Sequence, residues 1–140
     1  MFPSVRDVST IRPLKDLVYL TLDSGVELKL SELGCGSRIR HFDAGASEPK
    51  QLDAIASWKS LRTLDLRLCE GLENLEAVKG LPHLRRLRLG RCENLHDVTA
   101  VAWLPRLEEL DIGMTPVEDL SPVGKLKKLR FVDANFSSVK

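Results

Sequence analysis

Long apolar runs, an excess of charge of one sign, paired cysteines and catalytic signatures are all missing from this chain, and each absence narrows what it does. No stretch approaches the ~18 apolar residues of a membrane span, and the start, Met1-Phe2-Pro3-Ser4-Val5-Arg6-Asp7, lacks the apolar core of a signal peptide. The expected setting is intracellular, in the cytoplasm, with no membrane partner. Lys and Arg number 21 against 20 Asp and Glu, a formal net charge of +1, so there is no global pull toward nucleic acid or acidic lipid. Three cysteines, Cys35, Cys69 and Cys92, are an odd number, which argues against a disulfide framework. Aromatic residues make up only 5% of the chain.

Chemistry-bearing constellations are equally scarce. Neither G-x-S-x-G nor H-E-x-x-H occurs, and zinc spacing of the C-x₂₋₄-C kind is lacking. The glycine-rich Gly34-Cys-Gly36-Ser37 lacks the third glycine and following helix of a dinucleotide loop, so a turn is expected there. Glu108 and Glu109 are adjacent and point to opposite sides of a short strand, poor geometry for paired acid and base. No enzyme activity, cofactor or metal is expected.

What the chain does have is a period. Leu61-Arg-Thr-Leu64-Asp-Leu66 returns as Leu84-Arg-Arg-Leu87-Arg-Leu89 and as Leu107-Glu-Glu-Leu110-Asp-Ile112, each 23 residues on. At 22-residue spacing the same phase reaches Leu129-Arg-Phe-Val132-Asp-Ala134, Ile39-Arg-His-Phe42-Asp-Ala44 and Leu17-Val-Tyr-Leu20-Thr-Leu22. Between copies runs a second apolar series, such as Leu72, Leu75, Val78 and Leu81, or Val117, Leu120, Val123 and Leu126. Alternation over L-x-L predicts a strand with one buried face, and apolar residues three apart predict a helical or 3₁₀ return. Neither can bury its apolar side alone, so the repeats must stack.

Six in-phase copies of L-x-x-L-x-L resemble the leucine-rich repeat family over essentially the whole chain. The resemblance implies one α/β domain over residues 1–140. It would be a right-handed solenoid, or horseshoe, of about six repeats, with parallel strands on its concave wall and short helical or 3₁₀ return segments. The ninth repeat position reads Gly25, Ser47, Cys69, Cys92, Thr115 and Ser137. The two repeats carrying Cys have one extra residue and look like the cysteine-containing type. The 22-residue repeats look like the internalin and phosphatase-regulator types. Cys69 and Cys92 are expected as buried structural thiols. Val5, Val8, Ile11 and Leu14 share the phase of Val117, Leu120, Val123 and Leu126, so the sequence enters and leaves halfway through a repeat without a visible cap. A piece of a longer solenoid and end-to-end self-association therefore stay open.

Register then assigns the wall. The third-position column is Tyr19, His41, Thr63, Arg86, Glu109 and Phe131, and the fifth is Thr21, Asp43, Asp65, Arg88, Asp111 and Asp133. Both should be exposed, with Arg88 between Asp65 and Asp111 and Arg86 beside Glu109. Arg62, Arg67, Arg85, Arg86, Arg88 and Arg91 gather near the strand edges, while Leu68, Met114 and Phe136 share the eighth position. Arginine and aromatic residues are favoured interface anchors. The expectation is a non-catalytic module that binds a protein partner through Arg62, Arg86, Arg88, Arg91, Glu109, Met114, Phe131 and Phe136. The alternative is a structural or regulatory segment of a larger sensor or effector. Nucleic acid is not the expected partner, because nearby Asp residues compete for the arginines. Leucines should fill the interior and leave little room for a pocket. Trp58 is expected in the core and Trp103 partly exposed on the outer side.

Overall fold

In a computed structural model, residues 14–22, 31, 38–47 and 52–140 are described. The repeat period becomes six three-residue strands: β1 (Tyr19–Thr21), β2 (His41–Asp43), β3 (Thr63–Asp65), β4 (Arg86–Arg88), β5 (Glu109–Asp111) and β6 (Phe131–Asp133). They form one parallel sheet in chain order, and the register pairs like positions, Leu64 with Leu87 and Leu87 with Leu110. Such short strands hold because the ladder runs past them. The sixth-position N–H donates to the next repeat's fifth carbonyl, as Leu66 does to Arg88 and Leu89 to Asp111.

Return segments are 3₁₀ turns at Leu52–Ser57, Glu76–Gly80, Thr99–Trp103 and Ser121–Lys125. Three begin with an Asx turn, in which Asn74, Asp97 and Asp119 accept from the N–H of Glu76, Thr99 and Ser121. Each repeat is too short for a long α-helix, and apolar residues three apart suit the threefold 3₁₀ period, placing Val78 and Val101 inward. Tight stacking of neighbouring returns explains Gly80, where a Cβ would sit 2.6 Å from the Ala56 carbonyl oxygen.

The core lies between the inner sheet face and the returns. Leu61, Leu64, Leu66, Leu84, Leu87, Leu89, Leu107, Leu110 and Ile112 are all buried, as the periodicity predicts. Trp58 is buried edge-on to Phe42, with ring centroids 5.1 Å apart, and Trp103 is 67% exposed on the outer side. Val5, Val8, Ile11, Gly25 and the Gly34–Ser37 turn with Cys35 lie outside the described residues.

Candidate functional site

The outward-facing columns form lateral chains of contact. Tyr19 stacks on His41 at 5.4 Å, His41 Nδ1 lies 3.2 Å from Thr63 Oγ1, and Arg86 Nε contacts Glu109 Oε2 at 3.0 Å. Phe131, paired in register with Glu109, is exposed. The fifth column has a role that register alone does not reveal. Asp43, Asp65, Asp111 and Asp133 each accept the N–H of the residue two places on, at 3.0–3.2 Å. These carboxylates hold the turn leaving each strand.

Asp65 corrects an expectation. It is only 4% exposed, because the Arg67 guanidinium folds back over it, with Nε 2.9 Å and 3.0 Å from its two oxygens and Nη2 2.7 Å from Oδ2. This bidentate pairing holds the Arg67 pKa above its ordinary value. Arg88 is exposed as expected and leans to Asp65, at 3.5 Å, with no ion pair to Asp111. The wall therefore carries less free negative charge than its column of aspartates suggests.

Beyond the strands, Ala46, Leu68, Arg91, Met114 and Phe136 all have φ between 57° and 62°. A side chain disfavours this left-handed conformation by roughly 1–2 kcal/mol. In four of the five, lateral bonds offset it: the eighth-position N–H donates to the next repeat's seventh carbonyl, Ala46 to Arg67, Leu68 to Gly90, Arg91 to Gly113 and Met114 to Asn135. The turn throws these side chains outward. With glycine at the seventh position in three repeats (Gly45, Gly90 and Gly113), the strand-end rim becomes a groove of about 880 Å³ reaching from Thr21 to Phe136. Leu68, Met114 and Phe136 supply exposed apolar surface along it, Phe136 being 85% exposed. Leucines fill the core as the periodicity predicts, and the open space lies outside it, along the rim.

Arg62 belongs elsewhere. It lies at the strand-start rim, where Arg40, Ser60, Arg62, His83, Arg85 and Arg106 line a separate recess of about 250 Å³. The arginines that looked like one cluster in sequence are therefore divided. Arg67 and Arg91 face the groove, Arg86 and Arg88 the wall, and Arg62 and Arg85 the opposite rim. Arg40 was missed, although the second-position column, Val18, Arg40, Arg62, Arg85, Glu108 and Arg130, was readable by counting from each repeat's first apolar residue; Arg106, one place before Leu107, lies outside that column.

Cys69 and Cys92 are buried free thiols. Cys69 Sγ lies 3.4 Å from the Ala44 carbonyl oxygen and Cys92 Sγ 3.1 Å from that of Leu66, so each reaches back to the preceding repeat. At the same position Ser47, Thr115 and Ser137 instead donate within their own turn, to Ala44, Ile112 and Ala134. Burial pushes the Cys69 thiol up to about 12, with the neighbouring Cys92 adding to it, and burial pushes Cys92 up to about 11. Among the described residues no three His, Cys, Asp or Glu side chains converge to hold a metal ion, and no helix is long and apolar enough to cross a membrane.

No protein-family model and no curated protein matches the chain. Solved structures do. An internalin, InlF, from Listeria monocytogenes superposes with a TM-score of 0.86 at 21% identity, over 98% of this chain and 40% of that one. The functional domain of InlJ from Listeria monocytogenes, which includes a cysteine ladder, gives 0.69 at 18% identity, over 96% of this chain and 33% of that one. The leucine-rich-repeat ectodomain of the plant receptor kinase GASSHO1/SCHENGEN3 from Arabidopsis thaliana, in complex with Casparian strip integrity factor 2, also gives 0.69, at 21% identity, over 92% of this chain and 17% of that one. The chain thus spans well under half the length of each of these proteins. Its fold is the leucine-rich-repeat solenoid.

Proposed function

We propose that this solenoid is a non-catalytic module that binds a protein partner across its open sheet face and strand-end rim. The observation that carries the reading is the rim groove, which crosses all six repeats and sets Leu68, Met114 and Phe136 beside Arg67 and Arg91. Exposed apolar anchors next to arginines are the composition of interface hot spots. Arg86, Arg88, Glu109 and Phe131 extend the surface over the wall, and Arg62 marks its far edge. The plant ectodomain with its bound factor supports the general mode, a solenoid of this fold holding another molecule. A cytoplasmic setting is part of the proposal, supported by two free thiols side by side in the core.

Affinity capture with mass spectrometry, comparing wild type with a folded Arg86→Glu/Arg88→Glu variant, identifies partners that depend on the wall. Against such a partner, Phe131→Ala or Phe136→Ala should cost about 2 kcal/mol of binding or more, and Lys79→Ala on the returns almost nothing. If these substitutions leave affinity intact while Trp103→Ala abolishes it, binding runs through the outer face and the proposal fails.

A second reading, a segment that stacks on further repeats or regulates a larger protein, draws on one observation. Val132 is 38% exposed where Leu64, Leu87 and Leu110 are sealed. Concentration-dependent association that Val132→Lys removes would favour end-face contact, including end-to-end self-association.

A further inference from the structure

We propose that the strand-start recess is a site for a phosphate-type dianion, either inorganic phosphate or a phosphoryl group carried on a protein side chain. Four arginines line it, Arg40, Arg62, Arg85 and Arg106. Arg40, Arg62 and Arg85 hold the same repeat position on successive rungs, which parallel strands space by about 4.8 Å. Like charges stacked on adjacent rungs repel one another. Several other arginines are paired: Arg38 meets Asp16, Arg67 meets Asp65, and Arg86 meets Glu109. In the recess, among the described residues, Arg40, Arg62 and Arg106 meet no carboxylate, and Arg85 has only Glu108, at 3.5 Å. An anion would remove the repulsion.

The donors suit an oxyanion. Backbone N–H groups of Arg62 and Arg85 are already committed to the carbonyls of Arg40 and Arg62, so recognition falls to side chains. Guanidinium forks offer paired N–H groups that match two oxygens of a phosphoryl group, and the Ser60 hydroxyl and the His83 ring line the same space. Size and surroundings argue for one focal group over an extended polyanion. The recess measures about 250 Å³, and the column is closed on its far side by the negative Glu108. The site shares only Arg62 with the proposed protein-binding surface, and neither proposal depends on the other.

The test is a titration of the full chain with sodium phosphate at constant ionic strength, chloride serving as the control, followed by the side-chain resonances of arginine. In parallel it is titrated with a phosphoserine peptide and its unphosphorylated counterpart. Phosphate and phosphopeptide should bind in preference to chloride and the plain peptide. Arg62→Gln and Arg85→Gln should each weaken binding at least tenfold, while Arg91→Gln on the opposite rim should change it less than twofold. Arg106→Gln, in a turn outside the ladder, should repeat the loss without risk to folding. A tighter phosphopeptide identifies the phosphoryl group of a protein as the source; tighter inorganic phosphate identifies the free anion. Binding no stronger than chloride, or unaltered in folded Arg62→Gln, Arg85→Gln and Arg106→Gln, overturns the site, as does a preference for duplex DNA or phosphatidylserine vesicles that survives those substitutions. Phe131→Ala and Arg88→Ala leave phosphate binding unchanged, so failure of the wall reading is distinguishable from failure here.

Discussion

Leu87 and Val132 occupy the same place in the repeat, with the same parallel pairing on the preceding strand, yet one is sealed and the other is more than a third exposed. The difference extends from the last return segment onward. Leu126, Leu129, Ala134 and Val139 only half bury where Leu81, Leu84, Leu89 and Val117 bury fully or nearly so. A leucine in this fold is covered partly by its own return segment and partly by the next repeat. An inner repeat has both, whereas among the described residues neither a return segment nor a further repeat follows β6. Stability is therefore a nearest-neighbour property, with terms for each repeat and each interface.

The largest expected contrast follows directly. Leu87→Ala should cost about 3 kcal/mol or more in chemical denaturation, through lost transfer energy and a cavity bounded on both sides, and Val132→Ala under about 1 kcal/mol. Equal costs would mean that the last repeat is packed as tightly as the inner ones.

Aspartates come next. Asp65 is buried with the Arg67 guanidinium over it, whereas Asp133 is half exposed and holds only its own turn. Asp65→Ala leaves the Arg67 N–H and guanidinium without their shared acceptor and should cost about 2 kcal/mol, and Asp133→Ala about half that or less. Thermal melts of the two variants measured together provide the check.

Glycines give a smaller contrast of the same kind. At Gly80 a Cβ meets the Ala56 carbonyl at 2.6 Å, while at Gly124 it meets nothing within 4 Å. Gly80→Ala should destabilise by about 1–3 kcal/mol through overpacking, and Gly124→Ala should stay within about 0.5 kcal/mol of wild type. A neutral Gly80→Ala would show that neighbouring returns separate easily.

The smallest effect is one of pH. Because Cys69 and Cys92 have folded-state values raised to about 12 and about 11, their contribution is fully present below the unfolded thiol pKa of about 8.5. Above it the unfolded chain ionises first, and stability falls as pH rises toward 11. The fall should be shallower in a Cys69→Ala/Cys92→Ala variant, and both native thiols should react slowly with a thiol reagent until the protein is denatured. Prompt native labelling would contradict the burial.

The two kinds of region also differ in how far they can be read in advance. Strand positions, their order, their parallel register and the buried leucines follow from counting, since an apolar residue at a fixed phase can only face the stack. The wall columns follow for the same reason, down to Arg86 beside Glu109. Counting could not show that Asp65 is covered, because that depends on Arg67 folding back along its own turn in place of the small residue found at that position in neighbouring repeats. The division of the arginines into wall, groove and recess escaped for a related cause. Residues close in sequence at the two ends of a three-residue strand leave the sheet on opposite rims.

Periodicity alone thus determined the solenoid, its repeat boundaries, its core and the placement of the thiols, because stacking identical units allows one register that buries every leucine. Tertiary structure decided the surfaces: a groove opened by left-handed turns at Ala46, Leu68, Arg91, Met114 and Phe136, and a recess lined by four arginines from three successive repeats. Those features depend on the direction in which long polar side chains leave each turn and on which neighbour is there to receive them. Neither quantity repeats with the period, so neither is written in it.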